Sequence, residues 1–220
     1  MMRAALYWAP DVADPLHAAG SAWLGRDAET GATLPQPDDR REVTAEARSY
    51  GLHATLKPPF RLAHGWGPFM EDVQAFAARL APFALPPLAV MDLKGFLALR
   101  EAAPCAALHA LADAAVQELD AHRAPAPPEE LARRRRAGLS PRQEAHLADW
   151  GYPWVLDEWR FHVTLTRRLD AAERPRWMAE AQAVLGEAAA RPRLVREVCV
   201  FTQAGPGAPF LVAERLPLGG

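Results

Sequence analysis

The sequence predicts an α+β fold built from two related halves. The stretch HATLKPPF at residues 53–60 is echoed by HVTLTRRL at residues 162–169, about half the chain length away. In each half, a motif strand is accompanied by helical segments and a hairpin, an order that favours antiparallel sheets over alternating βαβ units. Half of the 220 residues are hydrophobic, which is enough for one well-buried core.

The elements of the first half follow from periodicity and from Pro and Gly signals. Asp14 followed by Pro15 starts a helix, and Gly25 ends it. Pro58 and Pro59 should end the first motif strand, because proline cannot donate to a β-ladder. The predicted elements are a strand at 3–9, a helix at 15–24, an exposed loop at 26–39, the motif strand from 53, a helix at 69–80, a hairpin at 88–100 and a helix from 105 to about 123.

The second half begins with an insertion-like helical segment at about residues 125–151. It contains a charged helix at 129–136 and a second helix that the capping-box sequence Ser140-Pro141-Arg142-Gln143 begins. The remaining elements are the second motif strand at 159–167, a helix at 171–190 and a hairpin that pairs 194–202 with 210–214. We expect one domain over residues 1–220 that carries this insertion.

Composition excludes several classes of protein. The charge balance of 25 basic and 27 acidic residues, with a pI near 6.4, gives no positive field for a stable nucleic-acid complex. Cys105 and Cys199 lie far apart, which suits a reducing compartment. No long apolar run or leader-like N-terminus occurs, so we expect a cytoplasmic protein that does not bind membranes.

The paired motifs carry the residues suited to catalysis. Side chains at i and i+2 of a strand share a face, so His53, Thr55 and Lys57 should point together. The same spacing puts His162, Thr164 and Arg168 on one face of the second motif strand. Either motif alone is typical of an ordinary strand with a structural histidine, but two copies favour a function.

Two such strands facing each other could clamp a phosphodiester. One imidazole would deprotonate the attacking water, and the other would protonate the departing alkoxide. The hydroxyls of Thr55 and Thr164, together with Lys57, would hold the nonbridging oxygens. The other five histidines have no partner at metal-ligand spacing, and no phosphate-binding glycine loop occurs, so we expect neither a metal nor a cofactor.

The paired His-x-Thr motifs resemble those of the two-histidine (2H) phosphoesterase superfamily. The resemblance implies a bilobal α+β fold with two pseudo-symmetric lobes around a central cleft, and metal-independent hydrolysis of cyclic or 2′,5′ phosphodiesters. It makes His53 and His162 the acid/base pair and gives Thr55 and Thr164 a role in binding phosphate.

A narrower resemblance covers most of the chain. The segments LYWAP, WLGRDAETG, YGLHATLKPPFRL, WGYP and FHVTLTRRL resemble a 2H subfamily usually called putative phosphonate metabolism proteins. It implies a small substrate such as 5-phosphoribosyl 1,2-cyclic phosphate. The alternatives are a 2′,3′-cyclic nucleotide or an RNA end as substrate, and a binding module for phosphorylated ligands without turnover.

Further residues have two readings each. The family places a ring or hydroxyl near the cleft at the position of Tyr7, but Tyr7 and Trp8 point to opposite faces, so Tyr7 is either a substrate contact or a core residue. Lys57 and Arg168 either contact phosphate or end a solvated strand. The run Arg133 to Arg136 is expected to be a solvated helix paired with nearby glutamates, against the alternatives of a lid and of a clamp for a second phosphate.

Overall fold

A computed structural model of the chain describes residues 2–136 and 138–220. The strands are β1 (Arg3–Trp8), β2 (Ala54–Phe60), β3 (Phe83–Leu85), β4 (Leu88–Leu93), β5 (Phe96–Glu101), β6 (Val163–Arg168), β7 (Arg193–Val195), β8 (Glu197–Gln203) and β9 (Phe210–Pro217). The α-helices are α1 (Pro15–Leu24), α2 (Asp38–Val43), α3 (Ala45–Tyr50), α4 (Trp66–Ala78), α5 (Ala106–Glu118), α6 (Pro128–Arg135), α7 (Pro141–Trp150) and α8 (Arg174–Ala190). Short 3₁₀ turns follow α5 at Asp120–His122 and precede β6 at Leu156–Glu158.

Seven strands form one antiparallel sheet in the order β4-β5-β6-β2-β1-β8-β9, and β3 pairs with β7. The sheet consists of two groups, β4-β5-β6 and β2-β1-β8-β9, and the two motif strands are the neighbours at their junction. At that junction a single register pair, Ala54 with Val163, joins β2 to β6. The predicted α+β class with antiparallel sheets is confirmed.

Each group of strands packs against its own helices. Helix α8 covers β4 and β5 and supports α1, whereas α5 packs on β2 and α4 on β9. Alternate strand residues such as Leu6, Leu56, Leu99, Leu165 and Val200 supply the core beneath these helices. The opposite face of the sheet carries a smaller apolar cluster that includes Tyr7 and Phe201. That face is therefore the one left available for a site.

Most predicted helices and hairpins are confirmed, and their end signals act as expected. The Asp14 side chain accepts from the backbone N–H of Leu16, Gly25 closes α1 with a φ of 72°, and the capping box of Ser140 and Gln143 opens α7. Lys94 and Gly95 take positive φ values of 54° and 98° in the β4–β5 turn. No helix within the described residues has the length and apolarity needed to cross a membrane.

Pro58 and Pro59 do not end β2, which continues to Phe60. Here β2 pairs only with β1, because its contact with β6 is confined to Ala54. Neither proline forms a register pair with β1, because the register shifts between Lys57 and Phe60, and β6 contacts β2 only at Ala54, so the missing N–H groups cost no ladder bond. The sequence also gave no sign of the short helices α2 and α3, or of the pairing between β3 and β7.

The prediction that Lys57 shares the face of His53 is wrong. The register between β1 and β2 shifts between Leu6–Lys57 and Tyr7–Thr55, a bulge that adds one residue to β2 and turns Lys57 toward the helices. Its ammonium donates to Val116 O at 3.0 Å and to Asp120 Oδ1 at 3.1 Å, and the side chain is only 2% exposed. Burial lowers the pKa of Lys57 to about 8, although Asp120 opposes this shift. Lys57 is thus a structural cation that ties β2 to α5.

The buried ion pair yields a stability prediction. Asp120→Ala leaves the Lys57 ammonium without its carboxylate, and we expect the free energy of unfolding to fall by roughly 3 kcal/mol, near the lower end for a broken buried pair because Asp120 is partly exposed. Lys57→Met keeps the volume and removes the charge, so it should cost less. Denaturant unfolding of the two variants checks this, and equal costs would contradict it.

Candidate active site

A cavity of about 260 Å³ opens on the sheet face that carries the smaller apolar cluster, and residues of α3 and α6 contribute to its wall. Its wall contains both motif histidines and both motif threonines, His53, Thr55, His162 and Thr164. The residues that the sequence singled out by their strand spacing therefore share one concave site. A larger cavity of about 740 Å³ lies elsewhere and contains none of these four residues.

The strand register explains why the motifs meet. Antiparallel pairing of Ala54 with Val163, continued by one residue in each direction, sets His53 opposite Thr164 and Thr55 opposite His162. Each imidazole therefore faces the hydroxyl of the other motif. The histidines are diagonal neighbours, a relation that separates two residues by about 7–8 Å across a sheet. The two histidines are close enough for His162 to act on the pKa of His53.

Both imidazoles are oriented in the same way by the backbone. His53 Nδ1 lies 2.9 Å from Gly51 O, and His162 Nδ1 lies 2.8 Å from Arg160 O, a carbonyl two residues earlier in each case. A carbonyl can only accept, so Nδ1 carries the proton and Nε2 is left as the reactive atom. The Thr55 hydroxyl lies 3.4 Å from His53 Nε2. The two Nε2 atoms can thus accept or donate a proton within the cavity.

Aromatic rings surround His53. Its ring centroid lies 4.0 Å from that of Tyr7 and 5.8 Å from that of Tyr50. This burial lowers the pKa of His53 to about 4, with a further lowering from His162, while the hydrogen bond to Gly51 acts in the opposite direction. In the free protein His53 is therefore a neutral imidazole near pH 7.

The surroundings of His162 are less aromatic. Phe96 is its ring neighbour at 6.0 Å. Burial lowers the pKa of His162 below its usual value of 6.5, with an opposing effect from the Arg160 carbonyl and a smaller lowering from Arg100. Because both pKa values are lowered, both imidazole rings are neutral near pH 7.

Tyr7 lies on the site face, and Trp8 points into the main core, where it packs on Phe161 at 5.5 Å. Tyr7 is fully buried, and burial raises the pKa of its phenol well above the usual value. Tyr7 therefore packs in the smaller apolar cluster, as one reading expected, and also lines the cavity beside His53, as the other expected.

Arg168, by contrast, lies outside the cavity. It is exposed at the far end of β6 and donates to Lys94 O in the β4–β5 turn. A register shift between Phe96 and Ala98 on β5 interrupts the regular alternation that had set Arg168 on the face of His162. Neither Lys57 nor Arg168 lines the cavity, so the predicted contacts of these two residues with a phosphate are wrong.

Several wall residues were not singled out from the sequence, or were expected elsewhere. Helix α6 has no buried residue and Arg134 makes the expected pair with Glu130, but Arg133 and Arg134 also line the cavity, whereas Arg135 pairs with Glu144 on the surface. Arg3 could have been found by extending the face of Tyr7 by two steps along β1. The tyrosines Tyr50 and Tyr152 had no such signal, because neither lies in a strand.

Among the described residues, no group of three or more His, Cys, Asp and Glu side chains could hold a metal ion.

The comparisons with known proteins identify the family. A family model described as "Protein of unknown function (DUF1045)" matches residues 55–211, which is well over half of the chain. The chain belongs to this family. Two relatives, from Janthinobacterium sp. (strain Marseille) and Laribacter hongkongensis (strain HLHK9), are 39% and 40% identical over 100% and 95% of this chain, respectively. Both are named "Ribose 1,5-bisphosphate phosphokinase PhnN".

These alignments cover 51% and 50% of the two relatives, so the chain spans about half the length of the curated relatives it matches. Among solved structures, the chain is similar over its full length to one titled "Crystal structure of phosphoesterase", with a TM-score of 0.46 and 16% identity. It is likewise similar to E. coli LigT complexed with 3′-AMP, with a TM-score of 0.49 and 14% identity, and the alignments cover 100% and 99% of those two chains.

The lowered pKa values predict how the site titrates. A histidine whose folded pKa is lowered binds fewer protons than in the unfolded chain, so stability should fall as pH drops from about 6.5 toward 4. We expect ¹⁵N NMR of the imidazoles to give a midpoint near 4 for His53 and one below 6.5 for His162. A midpoint above 6.5 for His53 would contradict its burial by the tyrosines.

Proposed function

We propose that the protein is a metal-independent cyclic phosphodiesterase that acts on a small phosphorylated ribose cyclic phosphate. The observation that carries the proposal is the convergence of His53, His162, Thr55 and Thr164 on one cavity, with both Nε2 atoms left unprotonated by the backbone contacts of Nδ1. This is the arrangement that acid/base catalysis by two histidines requires.

In the proposed step, a water oxygen bonds to phosphorus while the bond from phosphorus to one ring oxygen breaks. One imidazole takes the proton of the water, and the other gives its proton to the departing alkoxide. His53, whose pKa is lowered to about 4, is the better candidate for the neutral base, which leaves His162 as the acid. The threonine hydroxyls donate hydrogen bonds to the nonbridging oxygens as negative charge grows there.

The name of the relatives supports a phosphoribosyl substrate. Hydrolysis of 5-phosphoribosyl 1,2-cyclic phosphate at its bond to the 2-oxygen gives ribose 1,5-bisphosphate, the compound in the relatives' printed name. This chain contains no G-x-x-x-x-G-K-[ST] motif, so the sequence offers no support for kinase chemistry within it. A phosphodiesterase that produces ribose 1,5-bisphosphate, the substrate in the relatives' name, fits that name better than a second kinase does.

A 2′,3′-cyclic nucleotide or RNA end is the alternative substrate within the same chemistry. The cavity of about 260 Å³ is smaller than the roughly 300–1,000 Å³ usual for drug-sized ligands, which favours a sugar phosphate over an oligonucleotide. A module that binds phosphorylated ligands without turnover is the alternative outside this chemistry, and the presence of both histidines counts against it.

Turnover of a panel of cyclic phosphates tests the proposal directly. We expect wild type to hydrolyse 5-phosphoribosyl 1,2-cyclic phosphate in preference to 2′,3′-cyclic AMP, with no loss of rate in EDTA. His53→Ala and His162→Ala should each lower kcat by roughly a hundredfold or more, because each removes a proton-transfer group. His64→Ala is the matched control, since His64 is exposed on a loop and outside the cavity.

Thermal unfolding of the same variants separates chemistry from folding. Loss of rate in His64→Ala as well would indicate a general defect. Full activity in either site variant would exclude the proposed mechanism, and ligand binding by wild type without hydrolysis would favour the binding module.

The pH dependence of kcat/KM should report the lowered pKa values of the free site. The reaction needs one neutral and one protonated imidazole. We therefore expect kcat/KM to follow a bell-shaped pH profile, with its acid limb near pH 4 and its basic limb below pH 6.5. A bound phosphate favours the protonated ring, so the profile of kcat should lie at higher pH than that of kcat/KM. Coincident profiles centred above pH 7 would contradict the role of burial.

A further inference from the structure

The cavity has a second, positively charged end. Arg3 enters it from β1, and Arg133 and Arg134 enter it from α6. The cavity wall also contains one carboxylate, that of the exposed residue Glu46. Glu130 on α6 does not line the cavity but forms an ion pair with Arg134. None of the three arginines is needed to explain how the His-x-Thr motifs act on a phosphodiester.

Strand geometry separates this end from the histidines. Tyr7 pairs with Thr55 beside the motif, whereas Ala4 at the start of β1 pairs with Phe60. Arg3 shares the face of Tyr7 but lies four residues away, about 13 Å along the strand. Pro58 and Pro59 form the cavity wall between these two positions. A ligand that reaches from the histidines to Arg3 would pass over the prolines.

Two polar atoms of the residues that line the cavity lack partners within the described part of the chain. The Tyr7 hydroxyl, on a side chain that is 0% exposed, makes no hydrogen bond, and neither does the buried Nε of Arg134. A buried donor without an acceptor costs free energy, and native structures rarely leave one unsatisfied. Burial raises the pKa of the Tyr7 phenol and the charge of Arg3 opposes this shift, so Arg3 is close enough to act on the Tyr7 hydroxyl.

Two of the three arginines, Arg3 and Arg134, are also held in place. Arg134 donates to Glu130 Oε1 at 2.8 Å and lies 4.7 Å from the Tyr152 ring, while Arg3 donates from Nε to Gln203 Oε1 at 2.8 Å and lies 5.5 Å from the Phe210 ring. A guanidinium has five N–H groups, so each keeps donors for a ligand. Fixed guanidinium groups beside a phenol hydroxyl suit phosphate oxygens, which accept several charge-assisted hydrogen bonds.

We propose that Arg3, Arg133, Arg134 and the Tyr7 hydroxyl form a binding site for a second phosphate, a monoester carried by the same small sugar as the cyclic diester. The proposal rests on the function proposed above and adds the residues that select its substrate. The cyclic phosphate lies between the histidines, the sugar lies over Pro58 and Pro59, and the monoester lies against the arginines. A sugar that lacks the monoester loses the contacts of this second end.

The test compares paired substrates and paired variants. kcat/KM is measured for 5-phosphoribosyl 1,2-cyclic phosphate and for ribose 1,2-cyclic phosphate with wild type, Arg133→Gln/Arg134→Gln and Arg136→Gln. Arg136 ends the same helix, is exposed and does not line the cavity. We expect the double variant to lower the ratio of the two kcat/KM values about tenfold to a hundredfold, as befits lost charge-assisted hydrogen bonds, and the control to leave the ratio unchanged.

A binding measurement makes the test independent of turnover. Calorimetric titration with ribose 5-phosphate should give an affinity about tenfold weaker in the double variant than in wild type or in Arg136→Gln, with unfolding temperatures that match. Equal affinities, or equal losses on both cyclic substrates, would overturn the second-phosphate site. If wild type hydrolysed neither cyclic phosphate but still bound ribose 5-phosphate through the arginines, the proposed reaction would be contradicted and the second-phosphate site would stand.

The same experiment distinguishes the source of the second phosphate. In a dinucleotide that ends in a 2′,3′-cyclic phosphate, the second phosphate is a diester between nucleosides. If the double variant lost more activity on that dinucleotide than on the sugar phosphate, the site would belong to RNA ends and the sugar monoester would be excluded. Tyr7→Phe, which removes only the hydroxyl, should weaken ribose 5-phosphate binding in the same direction but by less.

Discussion

The junction between β2 and β6 is the constraint on which the site depends. A single register pair, Ala54 with Val163, fixes how the two halves of the sheet meet. A slip of one residue in either strand would turn that strand's histidine and threonine toward the helices, because strand side chains alternate between faces. Trp159 reinforces the register, since its indole N–H donates to Thr55 O at 2.8 Å from the segment just before β6. A short contact of this kind leaves the neighbouring residues free to face the cavity.

The rings that bury His53 also couple its proton to the ligand. Tyr7 and Tyr50 exclude water and keep the imidazole neutral in the empty site. An anionic phosphate between the imidazoles would favour a proton on one of them, so the charged ring needed as an acid forms most readily when an anion is bound. Burial thus links protonation to occupancy, which a solvent-exposed pair of histidines could not do.

The parts of the site that could be predicted from the sequence are those governed by strand alternation alone. The period of two brings His53, Thr55, His162 and Thr164 together and would have reached Arg3 from Tyr7. It failed at Lys57 because one extra residue in β2 reverses the face, and at Arg168 because β6 runs two residues longer than β5 before Arg168, which carries Arg168 to the β4–β5 turn.

The fold shows the same division between local signals and tertiary context. The helix caps at Asp14, Gly25 and Ser140 depend on local sequence alone, so they could be predicted. The passage of β2 through two prolines depends on which neighbour β2 has at that point, and the inward direction of Arg133 and Arg134 depends on where α6 packs. Neither property is contained in the segment itself.

The two ends of the cavity differ in symmetry, and this difference bears on selectivity. The histidine end comes from a motif that occurs twice, so by itself it presents nearly equivalent groups to both sides of a phosphorus atom. Such an arrangement cannot decide which of two ring oxygens departs. The features that break the equivalence occur once each: the tyrosines beside His53, Arg3 on β1 and the arginines of α6. In the proposed reaction these groups would hold the rest of the ligand in one orientation, so they, and not the repeated motif, would determine which oxygen faces the protonated imidazole.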